Sequence, residues 1–536
     1  MKIKLILILI FSAIVSAEEV NISATNTMKL GIGREWAGDE ANGVELSKQY
    51  FEDWIDIEMV KGDFTAGLRY EAADSSQHNE ALNEITKLYF NYSKNKINVT
   101  AGDFYGFFGR GVVFGLKESK ADFFNSKVTG GKFEYSGKNF GFKAQGGKSY
   151  FKYINDYYPA EQIVDRFDNS ILGSEIILPL SDYFGMEEIY LRIGCSYLYI
   201  KGDYVPENQY LYEEMFIKES NIGGISFEIN AYDFDFFNEY AIKKTERTPS
   251  QTGWANYSSL NYAIKGFSIG LEFKDYYKYG ANPNEPSSGF TPYQNAPELI
   301  IVHSSHLLNT HPHEVNPNDE IGYKLTAMYQ LKDNIDMNGT FALASKHNED
   351  GIIPESSEDY LPYLDSWIGA NYTEENFGIT FGLGYFLDSP LAKGVNQLII
   401  PGEDNSAKVY SDKRNTYMGE YTLKLNETSK IALCGEFQSV INEYLDKEYN
   451  DIYGSVEYAY SPWGYINLSL ITTSQKVTGD APDSWLGIET GINIMENHKL
   501  ELFYGRERAG IKCAGGTCRK VPEFDGFKMT LISEFN

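Results

Sequence analysis

Histidines, a glycine-rich aromatic segment and two close cysteines are the residues of this chain with the most chemical potential. Four of the seven histidines, His303, His306, His311 and His313, crowd one connection together with Glu314. Neutral imidazole ligates zinc, copper or nickel, which makes metal capture conceivable here. The spacing matches no strict motif, and a His-x-x-His pair without a helix carrying a glutamate base is no metalloprotease signature. Polar packing or exposure of the loop is the favoured reading, and neither a metal nor a cofactor is expected.

The second stretch runs from Gly102 to Leu116, with glycines at 102, 106, 109, 111 and 115 and aromatic residues between them. Glycines let backbone pass close to backbone, and the aromatic rings need somewhere to pack. Two readings stand side by side. In one, the loop folds into a lumen, where Asp103 and Arg110 constrict a passage; in the other, it is a strand extension sealed against a wall.

Cys513 and Cys518 bracket Ala-Gly-Gly-Thr and are close enough in sequence to close a disulfide loop; no second ligand pair stands nearby to favour zinc. Cys195 and Cys434 fall in apparent strands, on opposite phases of alternation relative to their apolar neighbours, and are expected to stay unpaired. No Gly-x-Ser-x-Gly elbow and no convincing Ser/His/Asp set is present, so no catalytic residue is assigned and an enzyme is not expected.

The elements that must position these residues are strands. Phe377, Ile379, Phe381, Leu383 and Tyr385 alternate with Gly378, Thr380, Gly382 and Gly384, one apolar face against one small and polar face. Similar alternation runs through Tyr417–Asn426 and Leu486–Ile494, and recurs at Phe64–Glu71, Phe267–Lys274, Tyr323–Leu331 and Ile335–Leu343. A membrane barrel needs one greasy face and one wet face, which is what this pattern supplies. A mean hydropathy of −0.37 is compatible, since barrel strands hide apolar residues in alternation.

Connections alternate in length as well. Short turns at Ser93–Lys96, Ser136–Asn139, Lys332–Asn334, Glu374–Asn376, Asn426–Ser429, Ser461–Gly464 and Glu496–Lys499 separate longer stretches at Tyr150–Asn169, Gly280–Asp319, Lys346–Asp365, Leu387–Asn415 and Ala509–Glu523. Short periplasmic turns and long extracellular loops are the regular asymmetry of outer-membrane barrels. Counting a first strand near Met28–Trp36, about eleven hairpins and a last strand from Phe524 predicts a single large antiparallel transmembrane β-barrel of about 24 strands, within roughly 22 to 26.

Met1 to Ala17 has the make-up of a secretory signal: Lys2 and Lys4, an apolar run from Leu5 to Val15, and Val15-Ser16-Ala17 as cleavage site. The expected division is therefore a signal peptide at 1–17 and a barrel at 18–536, bound for the bacterial outer membrane. The formal net charge is −28, and removing Lys2 and Lys4 would leave −30. That balance argues against a nucleic-acid partner, which needs a basic face, and is compatible with attraction of cations.

In the last segment Phe527, Met529, Leu531 and Phe535 share one face. It resembles the aromatic C-terminal strand that barrel-insertion machinery recognises in outer-membrane proteins, with Asn536 making the phenylalanine penultimate. Gly102-Asp103-Phe104-Tyr105-Gly106-Phe107-Phe108-Gly109-Arg110-Gly111, with Val128-Thr129-Gly130-Gly131-Lys132, resembles a pattern in a family of uncharacterised bacterial outer-membrane β-barrel proteins, porin-like in character. Pro297 to Tyr323, around His306-Leu307-Leu308-Asn309, is similar to another part of it. The resemblance implies a barrel and supplies no catalytic residues.

The expected function is a porin-like channel for small solutes, either open or gated by inward-folded loops. The alternative is a surface-binding or adhesion protein whose long aromatic loops, such as Tyr150–Tyr158, engage a ligand while the barrel anchors them. Outer-membrane lipid and the insertion machinery are the expected partners.

Overall fold

The computed structural model describes the chain except residues 1–19, 38–43, 76–80, 120–123, 155–163, 203–218, 247–250, 281–290, 292, 311, 312, 314, 349–350, 390–410, 444–446, 476–482, 509, 515–516, 522 and 536. The signal segment at 1–17, His311, Glu314 and Asn536 therefore lie outside the described residues.

Twenty-four strands form one antiparallel sheet that closes on itself. The seam joins the first strand, Asn21–Ala37, to the last, Phe524–Phe535, in continuous register from Ala24 opposite Phe535 to Glu35 opposite Phe524. Each strand otherwise pairs with its sequence neighbours. Closure leaves no open edge, which is the condition for crossing a bilayer with strands.

The two faces divide as alternation requires. In the strand Phe234–Thr245, Phe237, Glu239, Ala241, Lys243 and Thr245 are buried on the inside while Phe234, Tyr240 and Ile242 are exposed on the outside. Leu172, Ile225, Phe381 and Leu486 stand on the outer face with more than half of their surface accessible, positions that only a lipid-facing wall tolerates in such number. Cys195, directly opposite Ile225, is on this outer face and exposed. Cys434 sits on the inner face, with its Sγ 4.0 Å from Glu436 Oε1, and both thiols are free.

Phe527, Met529 and Leu531 lie directly opposite Ile32, Leu30 and Met28 across the seam, and opposite Tyr504, Leu502 and Leu500 on the other side. Ile32 and Tyr504 are exposed, as is Phe535, so this apolar row belongs to the outer wall.

Two boundaries differ from the sequence reading. The first strand begins at Asn21 rather than near Met28, because its early residues, Asn21 to Thr27, place Ala24 and Asn26 in the outer row and show no apolar periodicity. Tyr150–Asn169 is less loop than expected: Gly141–Ile154 and Val164–Pro179 pair as far as Ile154 opposite Val164. Many strands exceed the ~9–11 residues that span a bilayer, and beyond the membrane the outer face has no reason to alternate. The side chains of Tyr150 to Tyr158 lie outside the described residues. The stretch Ala509–Glu523 contains a small hairpin of its own, Gly510–Ala514 with Thr517–Val521, which sets Cys513 opposite Cys518; the side chains of both cysteines lie outside the described residues.

Candidate functional site in the lumen

The chain between the wall strands Ile97–Phe104 and Val128–Ser136 turns inward. Its first part forms a minute hairpin, Phe107–Phe108 against Phe114–Gly115. Gly109 and Gly111, at φ 51° and 92°, allow the turn between them, with Gly111 N donating to Phe108 O at 2.8 Å. Phe108, Val112, Val113, Phe114 and Leu116 are almost wholly buried, against Leu198, Ile222, Phe237 and Ala255 of the inner wall. This is a hydrophobic core inside a barrel, one that the aromatic and glycine content of the segment made possible.

Wall carboxylates pin its backbone. Glu175 Oε1 accepts from Gly109 N at 2.9 Å, and Glu239 accepts from Arg110 N at 2.7 Å and Val113 N at 3.4 Å. Lys143 neutralises the other Glu175 oxygen at 2.7 Å. On the near side Arg69 reaches from the wall to Glu118 of the same loop at 2.6 Å while holding Asp56 at 2.7 Å.

Asp103 and Arg110 are separated in role. Asp103 belongs to the wall strand and is buried, accepting from Leu88 N at 2.8 Å and from the Thr129 hydroxyl, with Lys127 Nζ at 3.3 Å. Arg110 is at the exposed tip of the inward loop, its guanidinium 4.9 Å from the centre of the Phe237 ring. The guanidinium is the loop's charge toward the lumen; Asp103 fixes the point where the loop leaves the wall.

The long connection after the strand Phe267–Tyr277 also folds inward and leans on the first. Gly115 N donates to Tyr293 O at 2.9 Å, Asn295 N to Gly111 O at 3.1 Å, and Tyr279 Oη and Gln294 Nε2 both donate to Val112 O at 3.2 Å. Buried Lys243 caps the carbonyls of Tyr279 and Gly280 at 3.1 and 2.8 Å. The segment then runs on to further wall strands, packing Ile301 and Leu308 against Trp367, Phe386 and Met418. Glu436 grips it with three bonds, from Ser305 Oγ at 2.7 Å, His306 N at 2.7 Å and Leu307 N at 2.9 Å.

The described histidines of this segment, His303, His306 and His313, go to separate partners. His303 Nε2 lies 2.8 Å from Asp365 Oδ2, and the His306 ring stacks on Tyr453 with centroids 4.5 Å apart. His313 stands between Asp388 at 3.1 Å and Glu320 at 3.3 Å, stacked on Tyr363. Burial works against its charged form, yet the two carboxylates hold its proton up to about 9. Among the described residues no group of three His, Cys, Asp or Glu side chains is arranged to hold a metal ion. His303, His306 and His313 act here as loop fasteners.

On the arc running through the seam, inner-wall side chains pair with one another. Tyr465 Oη donates to Glu489 at 2.5 Å, Lys48 meets Glu35 at 2.9 Å, Lys29 lies over Trp54, and Lys528 pairs with Glu507 while lying over Phe503 and Phe524. Glu272, Glu420 and Glu489 all stand on the inner phase, Glu272 with Lys324 at 2.8 Å. Glu175 and Glu239 escaped sequence reasoning; the available signal was their place on the inner phase of strands whose outer phase is apolar.

Solved outer-membrane proteins align with the chain at low identity. The siderophore receptor PirA from Pseudomonas aeruginosa aligns at 8% identity over 96% of this chain and 80% of its own, with a TM-score of 0.44. The P pilus usher PapC translocation pore aligns at 9% over 96% and 100%, TM-score 0.44, and the FrpB iron transporter from Neisseria meningitidis at 7% over 98% and 84%, TM-score 0.43. Likenesses this distant are silent on cargo. No curated protein matches the sequence. One family model does match, across residues 1–535: the chain belongs to the family of unknown function DUF6029.

Proposed function

We propose that this protein is a non-enzymatic channel of the bacterial outer membrane that passes small solutes, with its lumen narrowed by the two inward loops. The observation that carries the reading is the fastening of both loops by inner-wall carboxylates through loop amides, Glu239 on Arg110 and Val113 and Glu436 on His306 and Leu307. A barrel built only to anchor external loops has no use for buried charges spent on holding segments inside it. A ring of 24 strands encloses more than the 16–18 strands that already leave an aqueous channel, so an internal layer is needed to restrict passage to small solutes.

The passage then runs beside the seam, between the loops and the arc bearing Lys29, Glu489 and Lys528. Glu420, Glu436, Glu457, Glu489 and Glu501 share the inner phase of neighbouring strands; Lys430 and Lys499 pair with Glu457 and Glu501, and the carboxylates of Glu420 and Glu489, bonded to hydroxyls, support cation preference. The test is single-channel conductance of the folded chain in a planar bilayer under a salt gradient. Small, stable steps with a cation-selective reversal potential are expected. A folded barrel that never conducts, or one that conducts with anion selectivity, overturns the proposal in whole or in its selectivity.

A further inference from the structure

The loop between Ile335–Ser345 and Tyr363–Thr373 departs in the opposite direction from the two lumen loops. On the strands Phe267–Tyr277 and Asp319–Lys332 the outer phase is identified by exposed Leu271 and Leu325, while Lys274 and Tyr276 are buried inside. Asp275 and Asp319 are of that outer phase. His347, from the loop, binds both: Nδ1 is 2.8 Å from Asp319 Oδ1 and Nε2 is 3.0 Å from Asp275 Oδ1, an oxygen that also accepts from Trp254 Nε1 at 3.1 Å. Farther down the same face Tyr323, its ring 4.9 Å from that of Phe273, donates its hydroxyl to Ile352 O at 2.9 Å. These two fixed points straddle Ile321, an outer-phase residue that is only 1% exposed. The loop is therefore folded down the outside of the wall and held there at both ends.

Its next two side chains are apolar and unprotected: Ile352 and Ile353 are 69% and 71% exposed. A solvent loop gains nothing from two adjacent bare isoleucines held in place by a tyrosine of the outer wall. Tyr323 is two residues from Leu325, about 7 Å along the strand, so the pair is continuous with the lipid-facing row formed by Leu271, Leu325 and Tyr329. We infer that Ile352 and Ile353 are inserted among lipid acyl chains of the outer leaflet, making this loop a membrane anchor on the flank of the barrel. The inference rests on the reading of the barrel as membrane-embedded and is independent of conductance.

Spin labels test it in the full chain reconstituted into phosphatidylethanolamine–phosphatidylglycerol vesicles, with Cys195, Cys434, Cys513 and Cys518 replaced by serine. Ile352→Cys and, as a second site, Ile353→Cys are compared with Leu325→Cys on the wall and Glu375→Cys in a short turn. Collision with oxygen over a water-soluble nickel chelate should be several-fold higher at 352 and 353 than at 375, and similar to 325. A nickel-favoured response at 352 and 353 beside an oxygen-favoured 325 overturns the anchor and leaves the membrane reading intact. Nickel-favoured labels at 325 as well refute membrane embedding itself. Labels at 352 and 353 that meet neither reagent also overturn the inference, because another protein surface would then cover the loop.

Discussion

Replacing Glu436 by glutamine isolates the fastening of the second inward loop. The carboxylate receives three donors from the loop, two on Oε2 and one on Oε1, beside the weak thiol donor of Cys434 on Oε1. An amide in the same place has one acceptor; if it serves Ser305 and Leu307, its NH2 faces His306 N and leaves that partly buried donor unmatched. Stranding a buried donor costs about 1–3 kcal/mol, and loss of charge from the remaining two bonds removes about 1 kcal/mol each. The local opening free energy of Ser305–Leu307 should fall by roughly 3–5 kcal/mol. At about 1.4 kcal/mol per decade, that is at least a hundredfold faster exchange of the His306 and Leu307 amides, while wall amides keep their protection. In bilayers Glu436→Gln should show larger or more frequent openings, and Glu420→Gln, whose side chain bonds Thr422, serves as control. Unchanged exchange at 306 and 307 in a correctly folded Glu436→Gln barrel would refute the idea that this carboxylate holds the loop.

Other expectations follow from the same geometry. His313 is held up to about 9, above its ordinary value. Its contribution to loop attachment is therefore complete below about pH 6.5 and lost as pH rises through about 9, read as faster amide exchange around Asn316 between pH 8 and 10. Phe108→Ala, at a fully buried position, should loosen the first loop by about 3–5 kcal/mol, read as increased proteolysis of the Gly106–Leu116 segment with barrel migration in gels unchanged. At the seam a Cβ on Gly33 would stand 2.3 Å from Asp525 O, whereas one on Gly223 meets nothing within 4 Å. Gly33→Ala should therefore lower the yield of heat-modifiable barrel and Gly223→Ala should not. Denatured, unreduced protein should titrate two thiols, those of Cys195 and Cys434, if Cys513 and Cys518 are joined across their hairpin.

Much of the wall was legible because a bilayer imposes it. Phe381 and Leu383 face lipid and their neighbours Gly382 and Gly384 face inward, so period-two alternation is written in one residue after another. Legibility fell where that constraint lapses, at Asn21–Thr27 and above the membrane at Tyr150–Ile154. The inward loops were beyond local reading for a different reason: Arg110 and its acceptor Glu239 are 129 positions apart, as are Leu307 and Glu436. Nothing around Glu239 distinguishes it from a carboxylate lining a wet interior. The glycine and aromatic content of Gly102–Leu116 announced an unusual path without deciding between wall and lumen, since Phe108 and Phe114 would need packing partners in either.

The chemistry of the fasteners bears on selectivity. Arginine or lysine from a loop would have cancelled each wall carboxylate that it bound. Here Glu239 and Glu436 are satisfied largely by backbone N–H groups, which orient partial charge toward the carboxylate but carry no net charge. Folding the loops inward therefore narrows the lumen without setting a loop cation against either carboxylate, and places Arg110 near the first loop's tip. Charge-paired sites such as Lys143–Glu175 and Lys324–Glu272 do cancel locally. Lys430–Glu457 and Lys499–Glu501 cancel in the same way, which leaves Glu420 and Glu489, bonded to the hydroxyls of Thr422 and Tyr465, as the carboxylates whose field the low dielectric of apolar clusters such as Phe108–Phe114 strengthens. On the proposed function, a variant that loosens the loops should therefore widen the passage while weakening, rather than reversing, its selectivity.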